Sequence, residues 1–220
     1  MKIIIIGGVA GGATAAARIR RNDEQAEIIM VERGYYISFA NCGLPYHISG
    51  IIAEREQLLV TSEATFRDRY QVDVRSHTEA IAIDRKAKTI RLRNLTTGDE
   101  SDEAYDKLLL SPGAEPLRPK LPGIDSARVF GLRNIPDLDR IMTHLKQHSA
   151  RRAVVIGGGF IGIEVAENLH EKGISTTLVE GADQILAPLD YEMAAIVHSH
   201  MHDKNIELYL SPKSCKHYTQ

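Results

Sequence analysis

Residues 3–12 read IIIIGGVAGG and residues 154–162 read VVIGGGFIG, two apolar runs that each break into a cluster of glycines. Eight of the 17 glycines fall here: Gly7, Gly8, Gly11 and Gly12, then Gly157, Gly158, Gly159 and Gly162. An apolar run without alternation is what a strand buried in a parallel sheet looks like. Each cluster is followed by a helical stretch, ATAAARIRR or IEVAENLHEKG, and then by a second strand ending in glutamate, AEIIMVE at Glu32 and STTLVE at Glu180. The spans are similar, 25 residues from Gly7 to Glu32 and 23 from Gly157 to Glu180.

Strand, glycine turn, helix and strand-terminal acid at these offsets predict a dinucleotide site. The glycines let backbone N–H groups approach a pyrophosphate, and the helix N-terminus favours its charge. The terminal carboxylate accepts hydrogen bonds from an adenosine ribose. A glycine-rich turn alone is an ordinary feature; here its whole context occurs twice. The second turn, GGGFIG, has the full spacing at Gly157, Gly159 and Gly162, whereas the first, GGVAGG, has Val9 in place of the middle glycine. A Cβ there predicts a different dinucleotide or a different geometry. At the second turn Glu180 would accept from a ribose 2′-hydroxyl and repel a 2′-phosphate, which predicts NADH in preference to NADPH. The expected fold class is α/β, with two Rossmann-like dinucleotide-binding folds in tandem.

Between the two copies, residues 72–110 alternate apolar and polar with turn signals at 86–88 and 97–99, which predicts a β-meander returning to a buried strand, KLLL, at Lys107–Leu110. EPLRPKLPGID is expected to be an extended connector, and NIPDLDRIMTHLKQH an amphipathic helix. The predicted domains are 1–149, a first dinucleotide-binding domain, and 150–220, the N-terminal part of a second. That second fold needs further strands and helices, and the polar ending SPKSCKHYTQ does not supply them, so the sequence is expected to be a fragment or a truncation.

A net charge of −2 over 220 residues gives no field that would draw nucleic acid or an anionic membrane. MKIIIIGG is too short to span a bilayer and lacks a signal-peptide cleavage site, and the expected location is the cytoplasm. Two cysteines do not make a disulfide framework, and Cys42 and Cys215 have no metal-site spacing. Cys215 reads as an incidental exposed cysteine. Cys42 is different: it sits in SFANCGLPYHISG, between Asn41 and Gly43 and before Pro45, a setting that suits a thiol to be reached by a reactant. It is expected to open a helix whose dipole would favour the thiolate.

IIGGVAGGATAAARIRR, SFANCGLPYHISG, YDKLLLSPGAEP and VVIGGGFIGIEVAENL, in that order, resemble the FAD-dependent pyridine nucleotide–disulfide oxidoreductases. The likeness is strongest to the single-cysteine coenzyme A disulfide reductases and NADH-dependent persulfide or polysulfide reductases, and runs from Met1 to about residue 210. It implies that FAD is held by Gly7, Gly8, Val9, Ala10, Gly11 and Gly12 with Glu32, Arg33 and Asn41. Ser111 and Gly113 of SPG stand where the family often has Ala-Thr-Gly, and Arg133 is at a flavin-contacting position. NADH would be held by Gly157, Gly159, Phe160, Ile161, Gly162, Glu164 and Glu180, with Phe160 as an aromatic gate over the flavin.

Many relatives pair two cysteines five positions apart, but here that position is His47, which reads as structural. The resemblance therefore implies that Cys42 forms a mixed disulfide with a small thiol, reduced through the flavin by NADH. It also implies substrate contacts at Thr14, Arg18, Arg21, Ser38 and Asn41. Thr14, Arg18 and Arg21 share one helix face, which suits the phosphates of coenzyme A and reads equally as a solvated basic face. Two alternatives stay open. One is an NADH oxidase or peroxidase working through a Cys42 sulfenic acid, for which the family's histidine in the first turn is replaced by Ala10; the other is an inactive nucleotide-binding fragment. The resemblance implies a homodimer for a full-length form.

Overall fold

The computed structural model describes residues 1–211; Cys215 lies outside them. In chain order come β1 (Lys2–Ile6), α1 (Ala10–Asn22), β2 (Glu27–Val31), α2 (Leu44–Ser49), α3 (Glu63–Tyr70) and β3 (Val72–Arg75). Next are β4 (Thr78–Asp84), β5 (Thr89–Asn94), β6 (Glu100–Ala104) and β7 (Lys107–Leu110). The remainder is α4 (Ile135–His148), β8 (Arg152–Ile156), α5 (Phe160–Glu171), β9 (Ser175–Val179), α6 (Tyr191–Asp203) and β10 (Glu207–Tyr209). The chain divides into two compact units, Met1–Ala40 with Glu56–Pro119, and Asn41–Arg55 with Lys120–Gln220.

The first unit is built on a parallel sheet in the order β3-β2-β1-β7. Alternate residues of the central strands face two different layers. Ile3, Ile5, Ile28 and Met30 pack with Ala13 and Ala16 of α1 and Phe66 of α3. Ile4, Ile29 and Val31 pack on the other side against Ile90 and Leu92 of β5. With both faces covered, the unbroken isoleucine run is what the position requires, and each fully buried isoleucine contributes about 1.5–3 kcal/mol. The small residues Gly12, Ala13 and Ala16 form the buried side of α1 and let that helix lie close to the sheet.

The antiparallel meander is β4-β5-β6, narrower than the 72–110 expected from alternation. Val72–Arg75 alternates because it is an outer strand of the parallel sheet, pairing Ile28 with Val72. Lys107–Leu110 is the opposite outer strand, pairing Ile4 with Leu108. Its position at the edge leaves Leu110 59 % exposed, so KLLL is only half-buried.

In the second unit the sheet runs β10-β9-β8, again parallel. Leu178, Ile185, Leu186, Ala166, Met201 and Ile206 make its core, with Val155 packed against them. Val154 and Ile156, expected to be buried, are 64 % and 77 % exposed. Their counterparts Ile4 and Ile6 are covered by the meander; no such layer covers them among the described residues. Helix α4 forms where its sequence signals place it, with the Asn134 side chain accepting from the Asp137 N–H at 2.9 Å and Pro136 in the first turn. The unit also takes in residues 41–55 and 120–149, so the compact grouping differs from a single cut at 149/150. The Ser49 hydroxyl donates to Asn168 Oδ1 at 2.6 Å, and Arg55 forks onto Asp139 at 2.7 and 2.8 Å.

Buried His198 of α6 has an electrostatic consequence. It is 5 % exposed, and its Nε2 accepts from the Ile185 N–H at 3.3 Å, which requires the neutral ring. Burial pushes its pKa below the ordinary 6.5. The unfolded chain then takes up the proton first, so stability is fully present above pH 6.5 and declines as the pH falls through it. We expect the thermal midpoint to drop on acidification from pH 7.5 to 5.5, and His198→Gln, whose amide oxygen can accept the same N–H, to flatten that drop. Equal pH slopes in the two proteins would refute this assignment.

Candidate functional site

The two glycine-rich turns are built from the same parts. At the first, Gly7 takes φ +94° and its N–H donates to Val31 O at 2.8 Å; at the second, Gly157 takes φ +108° and its N–H donates to Val179 O at 2.8 Å. Such φ values favour glycine. The next N–H meets the acid at the end of the second strand: Gly8 N–H donates to Glu32 Oε2 at 2.7 Å, and Gly158 N–H to Glu180 Oε2 at 2.6 Å. The other carboxylate oxygen accepts from a loop amide two residues on, Gly34 at 2.7 Å and Ala182 at 2.8 Å. Backbone donors from Gly158, Ala182 and Gly181 hold the Glu180 carboxyl below its ordinary value of 4.5, so it is ionised near neutrality.

Each helix starts close under its turn. A Cβ on Gly12 would overlap the Gly7 carbonyl oxygen, and one on Gly162 would overlap the Gly157 carbonyl oxygen. No side chain caps either helix and neither has an acid in its first turn, so the positive helix ends are left for an outside anion. A Cβ on Gly159 would meet nothing within 4 Å, and the same holds for Gly157. The first turn is more enclosed: Ser111, bonded through its N–H to Ile6 O at 2.8 Å, stands against both Gly7 and Gly11.

The remaining predicted positions can be placed unit by unit. In the first, Val9 precedes α1, Ala10 opens it, and Thr14, Arg18 and Arg21 are exposed along it. Arg21 borders a shallow cleft with Arg69 and Tyr70, the Arg69 guanidinium lying 5.5 Å from the centre of the Tyr70 ring. Arg33 pairs with Glu115 and, at 3.9 Å, with Glu79. The Ser38 N–H donates to Gly8 O at 2.9 Å, and Gly113 lies exposed after β7.

In the second unit, Cys42 is exposed in a single 3-10 turn, Asn41–Gly43, ahead of the six-residue α2. The thiol thus precedes the α-helix instead of opening it, and Pro45 sits in that helix's first turn. His47 Nδ1 is 2.8 Å from Ile52 O, a contact that closes the turn after α2 and fits a structural role. Arg133 N–H donates to Asp137 Oδ2 at 3.0 Å. Phe160 and Ile161 are each 63 % exposed at the start of α5, and the Glu164 carbonyl accepts from Asn168 Nδ2 at 2.7 Å.

Two residues of this machinery are absent from the sequence reading. Ile37 lies where a Cβ on Gly8 would come within 2.8 Å of it, and Ile185 within 2.6 Å of one on Gly158. Each is five positions after its glutamate, so laying the two copies over one another would have found them. The contrast between Gly159 and Gly162 gives a test. Gly162→Ala is expected to lower stability by about 1–3 kcal/mol through overpacking, and Gly159→Ala to leave the melting midpoint unchanged. Equal midpoints for the two variants would contradict the packing described.

Comparison with known proteins agrees with this duplicated arrangement. The family model described as pyridine nucleotide-disulphide oxidoreductase matches residues 1–216. A coenzyme A disulfide reductase of Staphylococcus haemolyticus is 39 % identical over 210 residues, 96 % of this chain and 47 % of the relative. The structure of reduced CoADR-RHD from Bacillus anthracis superposes with a TM-score of 0.93 at 54 % identity, covering 95 % of this chain and 38 % of that one. An NAD-dependent persulfide reductase from A. fulgidus gives a TM-score of 0.91 at 37 % identity, covering 96 % and 40 %. The chain therefore spans about half the length of the curated relative it matches. On the extent of the family match and the paired turns beneath it, the chain belongs to the pyridine nucleotide-disulphide oxidoreductase family.

Proposed function

We propose that this chain is the dinucleotide-handling portion of an NADH-dependent flavoenzyme that reduces the disulfide or persulfide of coenzyme A through Cys42. The carrying observation is the pairing of two uncapped glycine-turn helices, each closed by a strand-terminal carboxylate, with an exposed Cys42 whose fifth neighbour is a structurally engaged histidine. The names of the relatives support the substrate class.

The residues present fit both groups. In the first unit, backbone from Gly7 to Gly12, Glu32, Arg33, Ser111 and Gly113 would hold FAD. In the second, Gly157, Gly159, Phe160, Ile161, Gly162, Glu164 and Glu180 would hold NADH, and the free space over Gly159 is what close approach of a pyrophosphate needs. Asn41 and Arg133 would complete the flavin contacts. When bound, NADH supplies a hydride and FAD relays its two electrons to sulfur. Glu180 is ionised and would oppose a 2′-phosphate, which favours NADH over NADPH.

Cys42 is the nucleophile in this reading. Its thiolate attacks one sulfur of the substrate disulfide, forming Cys42–S–S–R and expelling the other half as a thiolate. Two electrons and a proton then return Cys42 to the thiolate and release the second thiol. Thr14, Arg18 and Arg21 on the exposed face of α1, with Ser38 and Asn41 flanking the cysteine in sequence, would take the phosphates and pantetheine of coenzyme A. Arg20 is not part of that set: its guanidinium is spent on the carbonyls of Tyr70, Gln71, Asp23 and Glu24. Ala10 offers no proton donor at the first turn, which weighs against peroxide chemistry.

The decisive measurement is the intact mass of the unreduced protein with peptide mapping across Cys42. A reducible adduct with the mass of coenzyme A, absent from Cys42→Ser, is the expected result. A sulfenic or sulfinic oxygen would point to an oxidase or peroxidase, and a bare thiol would remove the support for coenzyme A. For the second turn, Gly159→Ala is expected to weaken NADH binding about tenfold or more, roughly 1.4 kcal/mol, in a titration of the folded chain. Unchanged affinity in that variant would count against the cradle.

A further inference from the structure

Asn168 is 1 % exposed on α5, and a buried amide is costly unless its polar atoms find partners. Both ends of this one are engaged. Nδ2 donates to the Glu164 carbonyl at 2.7 Å, one helical turn back, and this fixes Oδ1 as the acceptor facing α2. There it accepts from the Ser49 hydroxyl at 2.6 Å. The same hydroxyl lies 3.1 Å from Tyr46 O, but it has one proton, and the shorter contact is the one a helix cannot make by itself. Ser49 also accepts, from the Ile51 N–H at 3.4 Å, so the hydroxyl joins the end of α2 to the turn after it.

The two helices so joined lead to two different places. Residues Asn41–Gly43, with Cys42 in the middle, run directly into α2, and Ser49 is that helix's last residue. Phe160 opens α5 at the second glycine-rich turn, and Asn168 lies eight residues along it. A helix pair packed by apolar ridges alone tolerates neighbouring registers, and a single buried polar pair selects one of them. The exit from α2 is fixed as well, by His47 on Ile52 O and by the fork of Arg55 onto Asp139.

We propose that Ser49 and Asn168 are positioning residues whose hydrogen bond makes the Cys42 segment move as one body with the second glycine-rich turn. A dinucleotide held at that turn steadies α5, and through this bond it steadies α2 and the cysteine ahead of it. The inference rests on the reading of the second turn as a nucleotide site. It assigns a coupling role to two residues that touch neither the nucleotide nor the reacting sulfur in that reading.

Hydrogen exchange of the 220-residue chain, with and without NADH, tests it. In the unaltered protein NADH is expected to slow exchange in α5 and also in α2, the latter about three- to tenfold, the scale of one buried hydrogen bond. Ser49→Ala keeps the protection at the start of α5 and loses it in α2, while Ser49→Thr, which retains the hydroxyl, restores it. Alkylation of Cys42 in protein first freed of any adduct by dithiothreitol, followed by peptide mapping, tracks the same pattern: slowed by NADH in the unaltered and Thr proteins, indifferent to it in the Ala protein. A loss of stability alone would speed exchange with and without NADH alike, leaving the NADH-dependent difference in place. Protection of α5 without α2 in the unaltered protein overturns the coupling and leaves the nucleotide site standing, whatever the variants do. Persistence of α2 protection in Ser49→Ala also overturns it. Absence of any NADH protection removes both the site and the coupling.

Discussion

The turn amide of Gly8 or Gly158 donates to the carboxylate at the end of the neighbouring strand, which satisfies it. The rest of each fold depends on that contact. It ties the turn after the first strand to the end of the second, and through the other carboxylate oxygen it fixes the loop that follows. With that donor satisfied, the donors at the helix start are left without a side-chain cap. A charged acceptor is needed because two backbone donors converge on it, and charge-assisted bonds are the stronger kind. Glu32 and Glu180 therefore have structural work to do whether or not a ribose is present.

That constraint explains why so much was legible in the sequence. Glycines at a strand–helix turn, an apolar strand before them and an acid at the end of the next strand are local or nearly local signals, and the structure contains them in both units. The meander was visible in its alternation. Its limits were not, because Val72–Arg75 alternates for another reason: an outer strand of a covered sheet has one face more exposed than the other. KLLL and AVVI carry the composition of buried strands, but burial is decided by which layers arrive on each side. For Val154 and Ile156 no layer does among the described residues.

The region around Cys42 was legible in its exposure and not in its placement. Glycine, asparagine and proline beside the thiol announced an exposed turn, and Cys42 is exposed. A single 3-10 turn ahead of α2 was hidden, since Pro45 allows either a helix beginning at the cysteine or one beginning after it. Hidden too was the attachment of residues 41–55 to the second compact unit, which depends on Ser49, Asn168, Arg55 and Asp139, residues scattered over 120 positions with no motif among them. Ile37 and Ile185 belong to the same class of contact, though their equal offsets from the two glutamates left a trace that the repeat could have exposed.

The differences between the two turns bear on how each would treat its ligand. At the first, Ser111 stands against Gly7 and Gly11, and the sheet beneath is covered on both faces by α1 and the meander. At the second, a Cβ on Gly157 or Gly159 would meet open space, and the aromatic and aliphatic side chains that begin the helix, Phe160 and Ile161, are exposed. Ser111 follows β7, the strand that pairs β1 on the side away from β2, and the sheet β10-β9-β8 has no counterpart of that strand among the described residues, so the open space at Gly157 goes with the missing neighbour. Val9 and Gly159 hold the same place in the two turns, so the proposed nucleotide would approach bare backbone at the second and a side chain at the first.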